Sequence, residues 1–234
     1  MSKIMKVHVR GHMGVQVLQA FVGLSDVRDD EYPIICANTD DLPYDGSNRL
    51  HELMMPMNGA QFISYDGNRK TPYWVPGAAT KAFKNRDRAF AKWFDPIIDP
   101  IIGGPVGVAV HVRGTDKPVA SYKSNVKLIR LFNDPAEVTI YSDDYELSKK
   151  LARETKTRAA TLAGATYDWN KIYHSAVVYG CPSAYLMSML LFNPLKAMVF
   201  GGESYCDGGY QTTAGDFIFL REAMEFCPNV MIVN

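Results

Sequence analysis

The sequence predicts an α/β fold built on parallel sheets, and three observations carry that expectation. Strand-like apolar runs alternate with helix-like segments along most of the chain. The run 106–112 is almost continuously apolar, as suits a strand buried on both faces of a parallel sheet. Polar clusters at 111–117, 142–144 and 201–205 follow apolar strands, and the carboxyl ends of strands are where open α/β sheets bind ligands.

Taken in order, residues 4–10 alternate apolar and polar side chains and run into the turn Gly11-His12-Met13-Gly14, after which 15–24 reads as a helix. A strand over 32–37 ends at Asn38-Thr39-Asp40-Asp41. The stretch 42–77 is rich in Pro, Gly and Asn and has weak periodicity. Its aromatics Phe62, Tyr65, Tyr73 and Trp74 either line a groove or pack beneath a loop. Residues 78–93 read as a basic amphipathic helix whose Lys81, Lys84, Arg86, Arg88 and Lys92 fit a solvated face better than a phosphate-binding one. Pro96, Pro100 and Pro105 with Gly103 and Gly104 then break regular structure, which places a boundary near residue 103 between lobes 1–103 and 104–234. In the second lobe, strands over 106–112, 137–141 and 197–200 and an apolar segment at 176–179 alternate with helices over 124–131, 145–155 and 184–192.

Bulk properties exclude several classes. Lys plus Arg equals Asp plus Glu at 25 each, so no net field draws the chain to nucleic acid or an anionic membrane. No apolar run approaches the roughly 18 residues that cross a bilayer, and the start leads into a strand, so a cytoplasmic location is expected. Cys36, Cys181, Cys206 and Cys227 are widely spaced with no CxxC pair, which favours buried thiols over a zinc or redox motif. Neither GxxxxGK[ST] nor GxGxxG occurs, removing the P-loop and the dinucleotide fingerprint.

The three clusters have definite chemistry. A diphosphate needs charge and several donors, and the always-protonated fork of Arg113 supplies both; its alternative is an ion pair with Asp116 or Asp143. His111 sits just inside its strand end, as a base contact or a satisfied core histidine. Ser142, Asp143 and Asp144 can accept hydrogen bonds from a purine or ribose, or cap the helix that starts at Tyr145. Gly201, Gly202 and Ser204 offer amides and a hydroxyl to phosphate, or a plain turn.

Together these residues resemble the fucosyltransferases that share a GT-B-type sugar-nucleotide domain, the α-1,2 and α-1,6 groups with the rhizobial chitin-oligosaccharide enzymes. The segment His111-Val112-Arg113-Gly114-Thr115-Asp116-Lys117 is similar to the family's His-Val-Arg-Arg-Thr-Asp-Lys. The turn and helix from Gly11 to Ala20 resemble Gly-Gly-Leu-Gly-Asn-Gln-Met-Phe-Gln-Tyr-Ala, and Ser142-Asp143-Asp144 resembles the family's Ser-Asp-Asp. Weaker matches are Leu186-Met187-Ser188 and the serine-containing loop after Phe200.

The resemblance implies a GT-B-like pair of Rossmann-type parallel sheets with a reduced N-terminal acceptor-side lobe. It implies inverting transfer of fucose from GDP-fucose to a glycan hydroxyl, with no metal or other cofactor. Arg113 is then the catalytic group on the β-phosphate, His111 and Asp144 contact the guanosine, Ser204 holds phosphate oxygens, and Gly11 and Gly14 form the turn facing the cleft. Two departures stand out. Gly114 replaces the second arginine of the pattern, and Ser121 stands where the α-1,6 group has its glutamate base. Asp116, Asp40 or Asp41 are the substitutes for that base, and a catalytically inactive nucleotide-sugar-binding protein is the alternative function.

Overall fold

The computed structural model describes residues 3–38, 50–65, 67, 69–98, 107–113, 126–127, 129–132, 134–161, 163–202 and 214–233. Two parallel sheets organise the chain, as expected of an α/β protein with a reduced first lobe. In the smaller one, β1 (Lys3–Val9), β2 (Glu31–Asn38) and β4 (Gln61–Tyr65) lie in the order β1-β2-β4. A short antiparallel pair, β3 (Met54–Pro56) with β5 (Phe94–Pro96), forms a separate two-stranded sheet.

The larger sheet contains β6 (Val108–Val112), β7 (Val138–Ser142), β8 (Arg158–Ala159), β9 (Val177–Gly180), β10 (Met198–Gly201) and β11 (Val230–Val233). Its order is β11-β10-β9-β6-β7-β8, all parallel. The chain therefore runs outward from β6 to β8, returns to the other side of β6 and runs outward again. The connections leaving β6 and β9 diverge, which opens a crevice at their carboxyl ends.

Alternation along β6 sends its side chains to two different layers. Val110 and Val112 pack with Ile140, Leu151 and Ala152, the last two on α4 (Tyr145–Thr155). Ala109 faces the main core with Tyr141 and Val178, and alternation puts His111 on this same side. The main core is continuous across both sheets. It joins Val7, Val9 and Ile35 to Phe200 and Met198 through α1 (Met13–Leu24), α3 (Ala78–Lys92), α6 (Ala184–Phe192) and α7 (Ala214–Ala223).

This shared core explains why α1 and α6 have no polar stripe. Every residue of α1 except Val15, and every residue of α6 except Tyr185, is buried because each helix is covered on several sides. Gly14 allows their contact: a Cβ there would lie 2.4 Å from the Tyr185 backbone.

Helix α3 departs from the solvated face expected of its basic residues. Arg86 donates to the carbonyls of Leu191 and Phe192 at the end of α6, and Arg88 to the carbonyl of Val27. These arginines serve carbonyls left without intrahelical or strand donors. At the other end of α3, the Glu222 carboxylate accepts from the Gly77 and Ala79 amides, at 2.6 and 3.2 Å.

Cys36, Cys181 and Cys227 are buried as expected, and Cys206 lies outside the described residues. So does the expected boundary near residue 103. Helix α5 (Ala165–His174), α7, β4 and β11 were not legible in the chain's periodicity. The four-residue α2 (Leu50–Leu53) leads into β3.

Candidate functional site at the strand ends

The turn after β1 is built by Gly11 and two buried glutamines. Gly11 has φ +94°, a conformation other residues rarely adopt. Gln16 donates through Nε2 to the Gly11 carbonyl at 2.8 Å, and Gln19 accepts through Oε1 from the Arg10 amide at 2.7 Å. Both ends of the turn are thus held from inside α1, and Arg10 is presented at its rim. Gly14 corrects the expectation for it: it lies in the first turn of α1, packed on α6, and does not face the cleft.

At the end of β6, the His111 ring stacks on Tyr185 with centroids 4.9 Å apart and planes 25° from parallel. Burial pushes its pKa down to about 4; the Asp143 carboxylate opposes that and the Arg113 charge adds to it. His111 is accordingly neutral at pH 7, with one ring nitrogen a donor and the other an acceptor. Gly180, its neighbour in β9, leaves room for the backbone of β6 and for α6, since a Cβ there would lie 2.9 Å from the His111 carbonyl oxygen and 2.8 Å from the Leu186 side chain.

The 142–144 cluster divides its roles. Asp144 accepts from the Leu147 amide at 3.0 Å and caps α4, while Ser142 Oγ accepts from the Asp144 amide at 3.0 Å. The resemblance gave Asp144 to the nucleotide, yet the structure uses it as the cap and leaves exposed Asp143 as the carboxylate acting on His111. Gly202 is a second correction. Its amide donates to the Val233 carbonyl at 2.7 Å, so it is spent on the sheet and cannot serve a phosphate. Asp116, Gly114, Ser121, Ser204, Asp40 and Asp41 lie outside the described residues.

Sequence reasoning read one further part of the site incompletely and missed two others. The first is a cleft of about 750 Å³ between the smaller sheet and α7, whose lining includes Arg10, Gly11, Lys70, Tyr73, Trp74 and Gly215. Tyr73 Oη donates to buried Asp216 of α7 at 2.9 Å. Burial raises the Tyr73 pKa and Asp216 adds to this, while the Arg113 charge pulls the other way, so Arg113 lies within electrostatic reach of the cleft wall. Lys70 Nζ sits 4.8 Å from the Trp74 ring centroid. Tyr73 and Trp74 were among the aromatics expected either to line a groove or to pack beneath a loop, and the lining contains both; the bond from Tyr73 to Asp216, 143 positions away, carried no local signal.

The second is Ser183 at the start of α6, whose Oγ accepts from the Leu186 amide at 3.3 Å beside the end of β9. The third is Asp168 in the first turn of α5, half-buried, with its pKa raised to about 6 by burial against a hydrogen bond from the Ala163 amide. Tyr185 and Tyr141 both feel its charge, and Tyr185 Oη donates to the Ala165 carbonyl at 2.8 Å. Among the described residues no group of three or more His, Cys, Asp or Glu side chains is placed to hold a metal. No described helix is long and apolar enough to cross a membrane.

No family model matches the sequence, and no curated protein matches it. Among solved structures the chain is similar to the bacterial iron-containing dodecameric glycosyltransferase TibC from enterotoxigenic E. coli H10407, at 10% identity and a TM-score of 0.45, over 85% of this chain and 58% of that one. It is also similar to dodecameric iron-containing heptosyltransferase TibC in complex with ADP-D-β-D-heptose, at 9% identity and a TM-score of 0.46, over 91% of this chain and 62% of that one. The chain thus spans less than two thirds of the length of either glycosyltransferase.

Proposed function

We propose that this chain is a glycosyltransferase whose nucleotide-sugar donor binds at the carboxyl ends of the larger sheet. The observation that carries the reading is the position of Arg113. It directly follows β6, the strand at which the order of the sheet reverses, and it lies within electrostatic reach of both His111 and the cleft wall. A guanidinium at such a crevice neutralises a diphosphate and forms two hydrogen bonds to it. The amino end of α6, capped by Ser183 beside the paired strand β9, adds a favourable dipole.

In this reading an acceptor oxygen attacks the anomeric carbon from the face opposite the diphosphate. The carbon–oxygen bond to the β-phosphate breaks, and its electrons leave with the nucleotide diphosphate. Arg113 stabilises that charge more strongly as it develops, which lowers the barrier without requiring a metal. Asp168 is the described carboxylate at the strand ends whose pKa suits it to take the acceptor's proton near neutral pH. The resemblance of the segment from His111 to Lys117 makes GDP-fucose the first donor to test and a glycan hydroxyl the acceptor.

The deciding measurement is a thermal-shift series with GDP, UDP, ADP and their sugars on wild type and Arg113→Ala. Stabilisation by one nucleotide, lost in the variant, supports the site; no response to any nucleotide sinks it. Gly114, in place of the family's second arginine, favours one other reading, a binding protein without turnover. Nucleotide release from the donor across an acceptor panel separates the two. Transfer that persists in EDTA would establish metal independence.

A further inference from the structure

We propose that Tyr185 is a positioning residue of the transfer reaction, tying the start of α5, and with it Asp168, to the end of β6. The proposal rests on the glycosyltransferase reading for what Asp168 does there.

Tyr185 is fixed at its backbone and reaches outward from it. Its main chain packs against Gly14 of α1, where a Cβ would come within 2.4 Å, and the Ser183 hydroxyl holds the next amide, that of Leu186. From that base the ring lies on His111, with centroids 4.9 Å apart, and Oη donates to the Ala165 carbonyl at 2.8 Å. One side chain thus touches both the end of β6 and the first residue of α5.

The start of α5 needs such a tie. Its N-cap is Gly164, at φ +112°, which has no side chain to bond the first amides of the helix. Asp168 follows within the first turn, its amide donating to the Gly164 carbonyl at 2.9 Å, so its carboxyl moves with Ala165. Thr166 Oγ1 donates to the Glu52 carboxylate and steadies the same turn from α2. The Tyr185 hydroxyl remains protonated, because burial and then the charges of Asp168, Tyr141 and Asp143 raise its pKa well above 10. Its proton is committed to a carbonyl, which makes it a brace and not an acid or base.

Around Asp168 stand Tyr185 of α6 and Tyr141 of β7, with Arg158 of β8 acting on Tyr141. On α5 itself Tyr167 lies under the Lys171 ammonium, 5.3 Å away. Tyr185→Phe alters none of the charges in this group. Since the hydroxyl donates to a carbonyl and not to the carboxylate, its loss reaches Asp168 through the placement of α5.

The test uses the full chain, with Ser188→Ala as the contrast. Ser188 Oγ accepts from Trp169 Nε1 at 2.9 Å, so it also joins α6 to α5, but on the helix face buried in the core. The Asp168 carboxyl is titrated by carbon-13 NMR, and turnover is followed as GDP release from GDP-fucose. In Tyr185→Phe the Asp168 midpoint should fall from about 6 toward 3.8 as the carboxyl gains water. The acid limb of the rate profile should move down with it, kcat should fall about tenfold, and the donor KM should stay within about twofold. Ser188→Ala should move neither midpoint nor limb. An unchanged midpoint in Tyr185→Phe overturns the proposal. So does an equal change in both variants, which reduces the hydroxyl to a general support of α5. If the wild type transfers no sugar, the glycosyltransferase reading fails, while the two midpoints still decide whether Tyr185 places Asp168.

Discussion

The two sheets differ in how far each can organise a site by itself. The six-stranded sheet has the order reversal that opens a crevice, and side chains cover it on both faces, with Val110 and Val112 in one layer and Ala109 and Val178 in the other. The three-stranded sheet has no such reversal, and its helix α1 is buried against α6 of the larger sheet. What the smaller sheet contributes is a wall: the Gly11 turn, Arg10 and the segment from Lys70 to Trp74. The larger sheet holds charge at its strand ends, while the smaller one shapes the space in front of them.

If the shared core makes the sheets one cooperative unit, its tightest contact is the place to break it. Gly14→Ala sets a Cβ 2.4 Å from the Tyr185 backbone, which cannot rotate aside. We expect a loss of about 3 kcal/mol in urea denaturation. Tryptophans from both halves, Trp93 and Trp169, should still report a single transition. Gly77→Ala is the contrast, because Gly77 has φ +83° with nothing within 4 Å of a built Cβ. Only backbone strain is added there, so the expected loss is about 1 kcal/mol. Equal losses at the two glycines would mean that the α1–α6 contact yields easily.

Arg113→Ala comes next in size and acts at the end of β6 in the larger sheet. Removing a charged donor from a diphosphate costs about 1.5–3 kcal/mol, or roughly tenfold to a hundredfold in nucleotide affinity measured by calorimetry. An undiminished affinity would move the donor away from the end of β6.

Legibility in the sequence cuts across the two sheets. In the larger one β6 was readable because a strand buried on both faces is a continuous apolar run, as at 106–112, and the helices at 145–155 and 184–192 appear at the expected positions, whereas β11, α5 and α7 were not legible. A cap within Ser142-Asp143-Asp144 was readable too, since a strand end followed by these residues and a helix demands one, although the sequence did not say which residue serves. In the smaller sheet β1 and β2 were readable and the rest was harder. Strand β4 is an edge with Phe62 half-buried and its neighbours largely exposed, and the antiparallel pair of β3 and β5 joins residues about forty positions apart. The spent amide of Gly202 depends on pairing with β11, and the packing role of Gly14 depends on α6. No local pattern encodes either partner.

Tyr73→Phe tests the side-chain hydrogen bond from Tyr73 that ties the cleft wall to α7 at the Asp216 carboxylate. The lost donor to a buried carboxylate should cost about 1–2 kcal/mol by denaturation. Amide exchange should rise over α7 and the segment from Lys70 to Trp74 and remain unchanged in α4, which packs on the far face of the larger sheet. A uniform rise would place the whole penalty in global stability and deny the cleft wall a local role.

The smallest effect is expected at Asp168, where stability and activity should move in opposite directions. Its folded pKa of about 6 lies above the reference value of 3.8, so the folded chain binds more protons between those values. The stabilising contribution is present at low pH and lost as pH rises through 6. At pH 7 a charged, half-buried carboxylate therefore weakens the fold, and Asp168→Asn should raise Tm by about 2 °C, modest because solvent still screens the group. The Asn oxygen can keep the hydrogen bond from the Ala163 amide. His111 has the opposite sign: with its pKa lowered from 6.5 to about 4, its contribution is lost as pH falls across that window and does not mask the change at pH 7. If Asp168 takes the acceptor's proton, the same substitution lowers kcat at least tenfold and removes an acid limb near pH 6 from the rate profile. A higher Tm with unchanged kcat would make Asp168 a strained structural carboxylate and leave the proton to another group.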